Sequence, residues 1–151
     1  MKDLVRLLSE RKLTIASIES LTAGLFAAKL AAVPHASKVF YGSLVTYQSA
    51  CKIDVLKIDK QLIDKYGVIS SQCAKAMAEK GHVLFKTDIV VSCTGNAGPD
   101  VMDNKAVGLV YMGIYYQGEV IVLEKIFSGD RNEIRSSVVD YLCDSVKNLL
   151  E

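Results

Sequence analysis

Leu13-Thr14-Ile15-Ala16-Ser17-Ile18-Glu19-Ser20-Leu21-Thr22-Ala23-Gly24 runs into Leu25-Phe26-Ala27-Ala28-Lys29-Leu30-Ala31-Ala32-Val33-Pro34, and the fold is decided here. Residues 13–18 are apolar and carry β-branched Thr14 and Ile15, which suit a strand. Residues 20–33 are rich in Ala and Leu and stop before Pro34, so they predict a helix. A strand feeding directly into a helix is the repeating unit of a layered α/β domain.

The same alternation continues in both directions. Upstream, Asp3 is placed to cap a short helix with Leu4, Leu7 and Leu8 on its apolar face. Downstream, residues 39–48 carry Phe40, Tyr41 and Tyr47 and predict a strand; the charged stretch 49–66 predicts one or two short helices. Residues 70–86 predict a helix with Cys73, Met77 and Leu84 on one face, and residues 88–93 a buried strand. Strands over 107–116 and 119–127 flank a tight turn at Gln117-Gly118. Residues 130–150 predict the last helix, opened by Asp130 and Glu133 as a capping pair, with Ile134, Val138, Leu142, Val146 and Leu149 as its stripe. The pattern predicts a three-layer α/β/α sandwich, with a mostly parallel, mixed sheet and a C-terminal hairpin, in a single domain over residues 1–151.

Composition bounds the function. Half of the 151 residues are hydrophobic, and 18 basic residues against 17 acidic leave a net charge of +1. A whole-surface basic field for nucleic acid is therefore not expected. The two histidines, His35 and His82, are too few for a His-rich metal site, and Cys51, Cys73, Cys93 and Cys143 form no C-x-x-C pair. Reduced thiols fit a soluble, cytoplasmic chain. No signal peptide is evident, and no apolar run approaches the roughly 18 residues of a membrane helix.

Ligands of such sheets bind where strands end. Two strand exits stand out. At Glu19-Ser20-Leu21-Thr22-Ala23-Gly24 a serine stands at a predicted helix start, where it is either an N-cap or a nucleophile whose oxyanion the unpaired helix amides would hold. At Thr94-Gly95-Asn96-Ala97-Gly98-Pro99 the residues are those of a turn, and glycines also let backbone amides approach a ligand. Neither histidine is well placed as a base. Lys52 can serve if burial lowers its pKa, although a lone lysine is more often simply solvated. Cys51 and Cys93 are alternative nucleophiles, or inert buried thiols. Arg131 and Arg135 lie four apart at a helix start, fitted either to a phosphate or to surface ion pairs.

Taken together, Glu19-Ser20-x-Thr22-x-Gly24, Tyr47-x4-Lys52, Thr94-Gly95-x-Ala97-Gly98-Pro99, Val107-Gly108 and Gly129-Asp130-Arg131-x3-Arg135 resemble the CinA C-terminal domain family, which includes stand-alone nicotinamide-nucleotide amidases. The resemblance implies hydrolysis of the carboxamide of nicotinamide mononucleotide, with no metal and no cofactor. It implies Ser20 as nucleophile, Lys52 as base and Tyr47 as their helper. It further implies that Thr22, Gly24, Thr94, Gly95, Asn96 and Gly98 bind substrate, with Arg131 or Arg135 on its phosphate. The expected partners are this small nucleotide and further copies of the chain, with no nucleic acid and no membrane. The chain departs from the family in having Ala23 where T-G-G is common, and Asp100-Val101-Met102-Asp103-Asn104-Lys105-Ala106 where glycine is frequent. A catalytically silent, nucleotide-binding or partner-binding module is the alternative.

Overall fold

A computed structural model describes residues 1–151. In chain order it comprises α1 (Lys2–Arg11), β1 (Ile15–Glu19), α2 (Leu25–Ala31), a 3-10 turn (Ala36–Lys38), β2 (Phe40–Val45), α3 (Ser49–Asp54), α4 (Lys60–Tyr66), α5 (Ser71–Phe85), β3 (Ile89–Gly95), β4 (Leu109–Tyr116), β5 (Glu119–Ile126) and α6 (Arg131–Leu150). The five strands form one mixed sheet in the order β2-β1-β3-β4-β5. β1 lies between β2 and β3, parallel to both. β3 to β4 and β4 to β5 are antiparallel, so the parallel part is confined to the first three strands. The chain passes from β3 to β4 through a loop, not a crossover helix, which is why direction reverses there.

Helices cover both faces. On one, α1, α2 and α6 bury Leu8, Phe26, Leu30, Val138 and Leu142 against Ile15, Val91 and Met112. On the other, α4 and α5 bury Ile63, Cys73 and Met77 against Ala16, Ile18 and Val90. Every residue of β1 and β3 is buried, as expected of strands covered on both sides. Gly81 lets α5 approach the sheet closely: a Cβ there would lie 2.6 Å from Ile18 Cγ1 and 2.7 Å from Val90 Cγ1.

Several local expectations are corrected. The first helix begins at Lys2, which puts Asp3 in its first turn and not at the cap. The predicted 20–33 helix is only Leu25–Ala31. Ala23 (φ 49°) and Gly24 (φ 92°) are both left-handed, so a right-handed helix cannot run through them. Leu84 is exposed at the far end of α5, and its expected place in the core is taken by Gly81. The capping box of Asp130 and Glu133 forms as the sequence indicates. No helix is long and apolar enough to cross a membrane.

Candidate active site

The site sits where β1, β2 and β3 end. Ser20 follows β1 directly, and its N–H donates to the Cys93 carbonyl at 3.1 Å. Lys52 is held by the short helix α3, next after β2. Its Nζ lies 2.9 Å from Ser20 Oγ and donates to the Thr46 carbonyl at 2.6 Å. Lys52 is 1% exposed and Ser20 8%. Burial lowers the pKa of Lys52 from its ordinary 10.5. Burial also pushes Cys73 and Cys93 up to about 11, so near neutral pH they are uncharged thiols and give Lys52 no counter-charge. The same shift makes Cys93 a poor nucleophile.

Beside this pair opens a pocket of about 430 Å³, lined by Ser20, Leu21, Tyr47, Gly95, Asn96, Ala97, Gly98, Pro99, Asp100, Val101, Met102 and Arg131. A second groove, of about 480 Å³, reaches the pair from the Lys52 side and adds Thr94 to the wall. Arg131 donates to the Gly98 carbonyl at 2.5 Å and to the Tyr47 hydroxyl at 2.7 Å, so it braces two walls of the pocket. Asn96 shapes the 95–98 turn: its side-chain oxygen accepts from Gly98 N at 2.9 Å, and its amide donates to the Lys105 carbonyl. Thr94 Oγ1 donates to the Val68 carbonyl at 2.6 Å. The N–H groups of Leu21 and Ala97, both on the pocket wall, donate to no acceptor in the chain.

Three residues singled out by sequence do not line the pocket. Arg135 donates from Nε to the Leu21 carbonyl at 3.0 Å and from a terminal nitrogen to the Thr22 carbonyl at 2.9 Å. Thr22 donates its hydroxyl to Glu19 at 2.6 Å, and Gly24 donates its N–H to the same oxygen at 3.0 Å. Nor are the amides at the start of α2 open to an oxyanion. Those of Gly24 and Phe26 donate to Glu19 Oε2, and that of Ala27 to Glu19 Oε1. Residue type and spacing alone assign Glu19 no role. The signal was there: an acidic residue ends a strand that is otherwise apolar or small. His82 stacks on Tyr115 with ring centroids 4.0 Å apart, far from any role as a base to Ser20. No group of three or more His, Cys, Asp or Glu side chains gathers as a metal site would require.

The sequence pattern of the CinA C-terminal domain matches residues 1–150. A CinA-like protein of Dictyoglomus thermophilum is 47% identical over 150 residues, covering 96% of this chain and 36% of the relative. A CinA-like protein of Dictyoglomus turgidum is 46% identical over 132 residues, covering 87% of this chain and 32% of the relative. The chain thus spans about a third of the length of these curated relatives. Among solved structures, a CinA superfamily protein from Klebsiella pneumoniae superposes with a TM-score of 0.96 at 23% identity, covering 99% of this chain and 94% of the other, a likeness of fold. The competence/damage inducible protein CihA from Agrobacterium tumefaciens gives 0.91 at 28% identity, covering 99% and 95%.

Proposed function

The chain belongs to the CinA C-terminal domain family, and from that premise we propose that it is an amidase that deamidates nicotinamide mononucleotide to nicotinate mononucleotide and ammonia. The observation that carries this reading is the 2.9 Å contact between Ser20 Oγ and a fully buried lysine with no carboxylate partner. An amide is a poor electrophile, so its attacker must lose a proton during attack. Lys52, lowered by burial, supplies the neutral amine that takes it. One of its N–H bonds stays on the Thr46 carbonyl, which aims the nitrogen lone pair at the serine.

The reaction then runs in two halves. Ser20 Oγ bonds to the carboxamide carbon while its proton passes to Lys52. The resulting ammonium gives that proton to the departing nitrogen, and ammonia leaves an acyl ester on Ser20. Water next attacks the ester with Lys52 again as base, releasing the carboxylic acid and restoring the serine hydroxyl. The N–H groups of Leu21 and Ala97, which meet no acceptor in the chain, are the donors we assign to the tetrahedral oxyanion. A pocket of about 430 Å³ is of the size that holds a drug-sized ligand. Arg131 is the one guanidinium on its wall and the residue we assign to the phosphate; Tyr47, bonded to it, orients the substrate. Arg135, spent on two carbonyls, supports the serine turn.

The test is ammonia release from nicotinamide mononucleotide set against a panel of other amides, with Ser20→Ala as control. Release that Ser20→Ala abolishes supports the reading. Binding of the nucleotide without release favours the silent module instead.

A further inference from the structure

Glu19 is 1% exposed, and everything that reaches its carboxylate is an uncharged donor. Oε2 accepts from Thr22 Oγ1 at 2.6 Å, Gly24 N at 3.0 Å and Phe26 N at 3.1 Å. Oε1 accepts from Ala27 N at 3.0 Å, Ser17 Oγ at 3.1 Å and Ser43 Oγ at 3.3 Å. Burying a carboxylate without a cation is costly, and a Ser, Asn or Thr cap would satisfy a helix start at lower cost. What a carboxylate adds is stiffness, because bonds to a charged acceptor are shorter and stronger than neutral ones.

Its place in the chain says what is being stiffened. Glu19 immediately precedes Ser20, and its side chain ties down the turn that follows. Its own carbonyl accepts from Thr46 N at 2.8 Å, and the carbonyl of Thr46 accepts from Lys52 Nζ at 2.6 Å. With the contact from Lys52 to Ser20, these bonds close a ring through residues 19, 20, 52 and 46. Arg135 grips the same turn from α6, through the carbonyls of Leu21 and Thr22. The turn is thus held by a buried anion on its N–H groups and a cation on its C=O groups.

The geometry points to Glu19 and Arg135 as paired positioning residues that set Ser20 Oγ within reach of Lys52 and hold the Leu21 amide beside it. This rests on the amidase reading above. Neither residue lines the pocket; both act through the backbone of residues 21–27.

The experiment compares wild type, Glu19→Gln and Arg135→Met. A Gln presents an N–H2 to a shell of donors and strands at least one of them. Each variant is measured for kcat and KM with nicotinamide mononucleotide, and for the rate at which a fluorophosphonate probe labels Ser20. Circular dichroism and thermal melting report folding. The expected result is a folded variant whose kcat and labelling rate fall together, on the order of 100-fold, as small misplacements of reacting groups do. KM should change by no more than about twofold, and the double variant should be little worse than either single one. A merely structural role lowers the melting temperature and leaves kcat of the folded protein alone. Should Glu19→Gln not fold, Arg135→Met, altered on a helix surface, decides the matter. A folded variant with wild-type kcat and labelling overturns the inference, and so does a loss seen only in KM. If the wild type takes the probe but releases no ammonia, the substrate reading fails and the labelling rates of the variants still decide this one. A wild type that does neither overturns both.

Discussion

Ser20 and Lys52 are 32 residues apart in sequence and 2.9 Å apart in space. Each is ordinary alone; together they are the nucleophile and the base of the reaction proposed above. Lys52 can accept a proton only as a neutral amine, and burial lowers the pH at which it becomes one. Ammonia release should therefore fall as pH drops through the lowered pKa of Lys52 and level off above it. A pH profile of kcat checks the sign; activity that rises toward acid pH would exclude Lys52 as the base. Lys52→Ala and Ser20→Ala should each lower kcat by about 10²–10⁴-fold, with circular dichroism unchanged. The double variant should be scarcely worse than either, because the two act as one unit. Arg131→Ala is expected to raise KM for the nucleotide by the equivalent of about 1.5–3 kcal/mol, the worth of a hydrogen bond to a charged group. Nicotinamide riboside, which has no phosphate, should be little affected. Equal losses on both substrates would assign Arg131 to bracing Gly98 and Tyr47 alone.

The elements show which local signals reach the folded state unaltered. The capping box at the start of α6 is one: Asp130 accepts from the N–H groups of Asn132 and Glu133, and Glu133 accepts from Asp130 N at 2.7 Å. Asp130→Ala should cost about 1 kcal/mol of stability, read as a lower denaturation midpoint. A midpoint that does not move would mean that water replaces the cap without loss. The start of α2 is the contrary case. Ala, Leu and Phe around residues 21–28 favour a helix from Ser20 onward, yet the helix opens only at Leu25. Its first amides take a glutamate from the preceding strand as acceptor, a partner that helix propensity does not register. The five residues left outside the helix, 20–24, include Ser20 and Leu21, which both lie on the pocket wall.

For the molecule as a whole, packing of α5 on the sheet turns on one missing side chain. Gly81→Ala places a methyl 2.6 Å from Ile18 and 2.7 Å from Val90 in the centre of one core. Overpacking of this kind costs about 1–3 kcal/mol. A urea titration should show a lower midpoint with an unchanged slope; an unchanged midpoint would mean that the helix shifts freely. Residue patterning along the chain is enough to read the order of strands and helices, the hairpin at Gln117-Gly118 and the two strand exits that border the candidate site. These follow from hydrophobic period, turn residues and caps, all of which act over a few neighbouring positions. The motifs also single out Ser20, Tyr47, Lys52, the 94–98 turn, Arg131 and Arg135, and all of these but Arg135 lie on the walls of the pocket and of the groove beside it. It takes the folded chain to show that Lys52 is buried against Ser20, that Glu19 accepts from the amides of α2, and that Arg131 lines the pocket while Arg135 grips the serine turn. Burial and hydrogen-bond partners depend on which distant segments are brought side by side, and no short window of sequence carries that information.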